Sequence, residues 1–152
     1  MSVLLFLWIA FALNYVDRQM AFSMFPALRR DLGFTTAQLG LIGSLFLWVY
    51  TLSMPIAGRL ADIWRRDRMI LASLVLWSGA TIGCGLSGSV AALLGWRAVM
   101  GITEALYYPA AVALLAGVYS DAARSRALGL HQSAQLAGVV AGGWYGIRRC
   151  RR

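Results

Sequence analysis

Apolar and polar positions follow one another in long blocks along this chain, without the period of two that a half-buried strand would have. Each apolar block approaches the roughly 20 residues that a helix needs to cross a hydrocarbon core. The blocks lie near 3–25, 37–58, 69–87, 91–118 and 126–146. Helices are expected because a helix satisfies its own backbone hydrogen bonds in lipid. The pattern therefore predicts an all-α membrane protein with about five transmembrane helices.

The composition supports a membrane protein. Of 152 residues, 60% are hydrophobic and 13% are charged, whereas soluble domains are about 25% charged. The formal charge is +8 and every basic residue is an arginine. These arginines stand in short clusters between the apolar blocks, as in loops held at a membrane surface, so no nucleic-acid partner is predicted. The start of the chain lacks the basic region of a cleavable signal peptide.

The arginines also predict an orientation. The loops after the second and fourth blocks carry six arginines, and the loops after the first and third carry two. Because cytoplasmic loops are enriched in arginine, we expect a cytoplasmic N-terminus in a multi-pass protein of the bacterial inner membrane. The tail at 147–152, with four arginines, then falls on the opposite side. We interpret 1–146 as part of a membrane domain and 147–152 as a basic tail foreign to its fold.

Charges inside the apolar blocks are the first sign of function. Asp17 and Arg18 are the only charges between residues 3 and 26. Arg97 and Glu104 stand seven residues apart in the fourth block, hence on one helical face. Each buried charge costs about 3 kcal/mol on the lenient insertion scale. Such residues predict either a polar path for an ion and a proton, or ion pairs that hold helices together.

Counting along the helices places these charges at comparable depth. Asp17 lies about 13 Å and Arg97 about 9 Å from the predicted outer ends of their helices, with Glu104 deeper at about 20 Å. We therefore expect two acids and two bases to share a small volume if the two helices are neighbours. Pro109 removes a backbone donor and predicts a kink beside Glu104. The cysteines, Cys84 and Cys150, have no metal-binding spacing, so free thiols, no metal and no cofactor are predicted.

The loop after the second block carries a family resemblance. Its run Gly-Arg-Leu-Ala-Asp, followed by arginines, is similar to the signature between the second and third helices of the major facilitator superfamily. The matching positions are Gly58, Leu60, Ala61, Asp62 and Arg66.

Residues 14–18 and 97–109 resemble the anion:cation symporter branch of that superfamily, whose members carry sugar acids and other organic anions with protons. The substrate-binding residues that the resemblance implies are Arg18, Tyr15, Tyr50 and Gln135. The implied proton-coupling acids are Asp17 and Glu104, and the implied intramembrane charge partner is Arg97.

Simpler interpretations remain for the supporting residues. Tyr15 and Tyr50 are equally expected as packing or anchoring aromatics, and Gln135 as an interhelical hydrogen bond. His131 lies near the cytoplasmic start of the fifth block, and it is expected as an interface residue more than as a proton relay. Small residues at four-residue spacing, such as Gly138 and Gly142, predict close helix packing.

The predicted function is transport, not catalysis. Family members have twelve helices in two halves, so the resemblance implies an N-terminal fragment of a proton:organic-anion symporter, inactive without its C-terminal half. The expected partners are a small organic anion, protons and the lipid bilayer. Two alternatives stay open: an anion antiporter of the same superfamily, and a small oligomerising module for membrane assembly or pore formation.

Overall fold

The computed structural model describes residues 2–150, and the side chains in that range except at 31, 32 and 146–150. All regular structure in the described part is α-helical, which confirms the predicted fold class. The helices are α1 (Ser2–Ser23), α2 (Phe25–Leu32), α3 (Thr36–Ile63), α4 (Arg66–Gly85), α5 (Val90–Ala105), α6 (Tyr107–Val118) and α7 (Asp121–Cys150). The proposed foreign tail at 147–152 lies outside the residues whose side chains are described.

Within the described residues, four helical stretches are long and apolar enough to span a membrane. They are Ser2–Arg30, Thr36–Ile63, Arg66–Gly85 and Val90–Val118. The fifth predicted span falls on α7, which has sufficient length but is less apolar. His131 and Gln135 interrupt its apolar sequence. Polar residues of this kind in a membrane helix usually face the protein interior or a water-filled cavity.

The helix boundaries correct the predicted loop after the second block. The sequence predicts that this helix ends near residue 58, but α3 continues to Ile63 and α4 starts at Arg66. The first part of the loop signature is therefore helical, and only Trp64 and Arg65 form the turn. Hydropathy marks where a helix leaves the apolar phase, whereas its hydrogen bonds can continue in water.

The fourth predicted block is interrupted where the proline predicts. α5 ends at Ala105 and α6 begins at Tyr107, with Leu106 as the turn between them. Pro109 cannot donate to the carbonyl of Ala105, so the regular hydrogen-bond ladder is lost there. Glu104 consequently lies in the last turn before the break.

The chain divides into two compact units, and the first combines Met1–Thr35 with Val118–Arg152. In it, α1 packs along α7. A Cβ atom built on Gly138 would lie 2.7 Å from Tyr15 Cβ, and one on Gly142 would lie 2.8 Å from Val16 O. These glycines therefore allow the two backbones to approach closely, as the four-residue spacing predicts.

We expect Gly142→Ala to destabilise the α1–α7 contact by about 1–3 kcal/mol, because the new methyl group meets backbone atoms that cannot rotate away. The free energy of unfolding in detergent, followed by far-UV circular dichroism, measures this loss. Gly143→Ala is the matched control, since nothing lies within 4 Å of a Cβ at that position. Equal effects of the two substitutions would contradict the proposed backbone contact.

The second unit is Thr36–Gly117, in which α3 and α4 both pack against α5. Gly101 of α5 faces α3, and a Cβ on it would lie 3.0 Å from Phe46 O. On the other side, the Ser73 hydroxyl donates a 2.8 Å hydrogen bond to the Thr103 carbonyl. α5 is thus held from two directions, which fixes the direction in which its charged face points.

Candidate functional site

The charged face of α5 is buried within the protein. Arg97 is 5% exposed and Glu104 is 2% exposed, and Met100 lies between them on the same face. Two helical turns separate the charged residues, so their positions differ by about 10 Å along the helix axis. The sequence-predicted face is therefore present, and it carries one fixed positive charge and one titratable acid.

An aromatic ring from another helix packs against the Arg97 guanidinium. The Arg97 Cζ atom lies 5.7 Å from the centroid of the Phe46 ring in α3, and its Nη1 atom lies 3.5 Å from the Met100 sulfur. A cation over an aromatic face gains about 2 kcal/mol when both are shielded from water. Phe46 was not identified from the sequence, although its position four residues before Tyr50 places both on one face of the helix.

Tyr50 reaches the same aromatic ring. Its ring centroid lies 6.0 Å from that of Phe46, with the planes 21° apart. Gly101 allows α5 to approach the α3 backbone beside these rings, because a Cβ there would come 3.1 Å from the Tyr50 backbone nitrogen. In the second unit, two predicted site residues, Tyr50 and Arg97, therefore both contact the Phe46 ring.

In the first unit, Asp17 is turned away from the glycine contact, whereas Arg18 lies beside Tyr15, which meets Gly138. Val16 and Gln19 touch Gly142, and the two charged residues stand between them in sequence. Each is therefore rotated about 100° around α1 from a residue that contacts α7. Both side chains are half-buried.

Tyr15 holds the Arg18 side chain. The Arg18 Cζ atom lies 5.0 Å from the centroid of the Tyr15 ring, as the spacing of three residues on one helix allows. The predicted pair of substrate-binding residues on α1 is therefore in contact. The guanidinium lies over the ring, and N–H groups of this kind are donors suited to a carboxylate.

α7 contributes the remaining predicted residue of the first unit. Gln135 is half-buried, near the α7 face that carries Gly138. His131, on that face, is fully buried and stacks on Phe11 with centroids 4.6 Å apart and planes 14° apart. The prediction that the charged groups of the two units share one volume stays a prediction.

The loop signature is divided between the end of α3 and the start of α4. Gly58, Leu60, Ala61 and Asp62 lie in the last turns of α3, with Ala61 buried. Arg66 donates a 3.1 Å hydrogen bond from Nη1 to the Ala113 carbonyl, near the C-terminus of α6. A cation is favourable at that end of a helix because unsatisfied carbonyl groups give it a partial negative charge.

Arg65 and Asp67 form an exposed ion pair in the turn. The Nη2–Oδ2 distance is 2.8 Å, and the hydrogen bonds to Asp67 raise the pKa of the Arg65 guanidinium above its ordinary value. An exposed pair of this kind contributes little to stability. Among the described residues, no group of three His, Cys, Asp or Glu side chains is placed to hold a metal ion.

Comparison with known proteins identifies the family. Residues 7–147 match the Major Facilitator Superfamily. The chain belongs to the major facilitator superfamily. Its match to the family covers both units and all the intramembrane charges described above.

Named relatives of this superfamily member are transporters. It is 32% identical to the "Probable sulfoacetate transporter SauU" of Cupriavidus necator over 127 residues, 83% of this chain and 30% of that protein. It is 28% identical to the "D-galactonate transporter" of Escherichia coli O6:H1 over 137 residues, 90% of this chain and 32% of that protein. The chain therefore spans about a third of the length of these relatives.

Solved structures show the same fold. The inward-facing, occupied crystal structure of a bacterial homologue of the human lysosomal transporter Spinster matches with a TM-score of 0.90 and 29% identity. The match covers 95% of this chain and 31% of that chain. This member of the major facilitator superfamily therefore has an integral, multi-pass membrane fold.

Proposed function

We propose that this chain is the N-terminal part of a transporter that carries an organic anion into the cell together with protons. The observation that carries the proposal is the face of α5, where a fixed guanidinium and a carboxyl group are both buried in a membrane-spanning stretch. Four intramembrane charges used only for packing would be costly. The names of two relatives, a probable sulfoacetate transporter and a D-galactonate transporter, favour small organic anions as the cargo.

The proposed roles follow from the chemistry of each side chain. Arg18 binds the carboxylate, because it keeps its charge at any working pH and offers a planar fork of donors. Its guanidinium lies over the Tyr15 ring, 5.0 Å from the ring centroid. Tyr50 and Gln135 supply further hydrogen bonds, and Arg97 is the intramembrane charge partner of the acids.

Asp17 and Glu104 are the proposed proton carriers. An apolar surrounding favours a neutral carboxyl group, and a nearby guanidinium favours a charged one. Arrival of the anion and opening of the site can therefore change the proton occupancy of these acids. When these acids are protonated, they no longer neutralise the positive charge of the arginines, and that charge is available to the anion. Anion and proton therefore move inward together.

The proposal includes an orientation and a role for the missing part of the fold. The N-terminus lies in the cytoplasm of a bacterial cell, with the protein in the inner membrane. The 152-residue chain supplies one wall of a central site, and we expect no transport from it alone, because alternating access requires a second half to move against.

A hybrid transporter tests this function. Residues 7–146 replace the matched segment of the E. coli D-galactonate transporter, and the purified hybrid is placed in liposomes with an alkaline interior. We expect uptake of radiolabelled galactonate or sulfoacetate that is stimulated by the inward proton gradient. The 152-residue chain in the same liposomes is the control.

Three results would contradict the proposal. Uptake that requires an internal anion and ignores the proton gradient would indicate antiport. Leakage of small solutes through the 152-residue chain would indicate a pore. A monodisperse hybrid that transports neither anion would remove the support for organic-anion transport.

A further inference from the structure

A continuous series of ring contacts in the first unit leads from α7 to Arg18. The His131 ring stacks on Phe11 with centroids 4.6 Å apart. Phe11 meets Tyr15 edge to face, with centroids 5.1 Å apart and planes at 84°. Tyr15 in turn packs its face against the Arg18 guanidinium at 5.0 Å. We call these four residues the aromatic series.

The aromatic series starts at buried and closely packed groups. His131 is fully buried and Phe11 is 4% exposed, so neither ring has space to move independently. The base of Tyr15 rests on Gly138, where even an added methyl group would lie 2.7 Å from Tyr15 Cβ. Tyr15 is therefore restrained near its Cβ atom by Gly138 of α7 and at its ring by Phe11.

Restraint of Tyr15 has a direct consequence for Arg18. Arginine has several rotatable bonds, and holding it in one orientation carries an entropic cost for any ligand that must order it. A ring face that is already fixed accepts the guanidinium in one plane. The guanidinium is then held over the Tyr15 ring before the anion arrives.

We propose that Phe11 and His131 are positioning residues, which orient Arg18 for anion binding through Tyr15. This inference rests on the proposed anion-binding role of Arg18. His131 acts here as a flat ring rather than as a proton carrier. A phenyl ring can replace it in that role, whereas an aliphatic side chain cannot.

The first arm of the test observes Arg18 without any anion. The 152-residue chain is labelled with ¹³C,¹⁵N-arginine in lipid nanodiscs, and the Arg18 side-chain signals are identified by their loss in Arg18→Lys. Ring currents from Tyr15 displace these signals in the wild type. We expect Phe11→Leu and His131→Leu to shift them toward the values of an exposed arginine, and His131→Phe to leave them unchanged.

The second arm measures uptake by the hybrid transporter. We expect Phe11→Leu and His131→Leu to raise the KM for the anion about 3- to 10-fold, with little change in the maximal rate, because a cation–π contact is worth that ratio in affinity. His131→Phe should restore both the wild-type KM and the wild-type pH profile. Phe6→Leu and Gln132→Leu are the controls, since both of these wild-type residues are exposed on the same two helices.

The two arms separate the possible failures. Unchanged Arg18 signals in both leucine variants would overturn the positioning role. A His131→Phe variant as defective as His131→Leu, or with an altered pH profile, would overturn it in favour of imidazole chemistry. Shifted Arg18 signals with an unchanged KM would show that the orientation of Arg18 does not set the affinity for the anion, which would overturn the positioning role; an unchanged KM in Arg18→Lys as well would overturn the anion-binding role of Arg18.

Discussion

Arg18→Lys is expected to raise the KM for the transported anion about 10- to 100-fold in the hybrid transporter. Lysine keeps the positive charge but lacks the planar fork, so one of two charge-assisted hydrogen bonds to the carboxylate is lost, at about 1.5–3 kcal/mol. Arg18→Gln, which also removes the charge, should abolish measurable uptake. Initial rates of radiolabelled anion uptake over a range of concentrations measure both effects.

The control for Arg18 is an arginine of the same unit outside the intramembrane site. Arg29 is exposed in α2, so Arg29→Lys should leave KM and the maximal rate unchanged. If Arg18→Lys retained the wild-type KM, the anion would have to bind elsewhere. Arg97, which is also held against an aromatic ring, would then be the first alternative.

Glu104→Gln is expected to abolish proton-driven accumulation while anion exchange persists. The amide has nearly the shape of the carboxyl group but cannot bind and release a proton. If one proton moves with each anion, a gradient of one pH unit supports about tenfold accumulation of the anion. We expect no accumulation in the Glu104→Gln variant. Net uptake under a pH gradient and counterflow without one, measured on the same liposomes, separate the two activities.

An exposed acid supplies the control for Glu104. Asp121 is fully solvent-exposed at the start of α7, and Asp121→Asn should retain wild-type accumulation. Asp17→Asn tests the other proposed proton carrier in the same assay, and we expect the same loss. Persistence of proton-driven accumulation in both Asp17→Asn and Glu104→Gln would contradict the proposed assignment of proton coupling.

Much of the fold was predictable because each membrane helix is specified locally. A block of about 20 apolar residues forms a helix in lipid, because its backbone has no other hydrogen-bond partners there. The interruption at Leu106 was also predictable, since Pro109 acts through the backbone four residues before it. The end of α3 was missed, because the five residues from Arg59 to Ile63 continue the helix beyond the apolar block.

The candidate site was predictable only in part. Helical spacing places Arg97 and Glu104 on one face, and the free-energy cost of burying charged residues in lipid indicates that they have a function. Spacing alone does not identify partners from other helices. Phe46 lies 51 positions before Arg97, and His131 lies 120 positions after Phe11, yet each pair is in contact.

The sequence by itself determined the helices, their membrane character, the family signature and the positions of the intramembrane charges. These properties depend on residue type and on spacing within one helix. Only the tertiary structure decided which faces meet: Gly138 and Gly142 against α1, Phe46 against Arg97, and the aromatic series that ends at Arg18. Such contacts depend on how closely two backbones approach and on the rotation of each helix, and glycines distant in sequence control both.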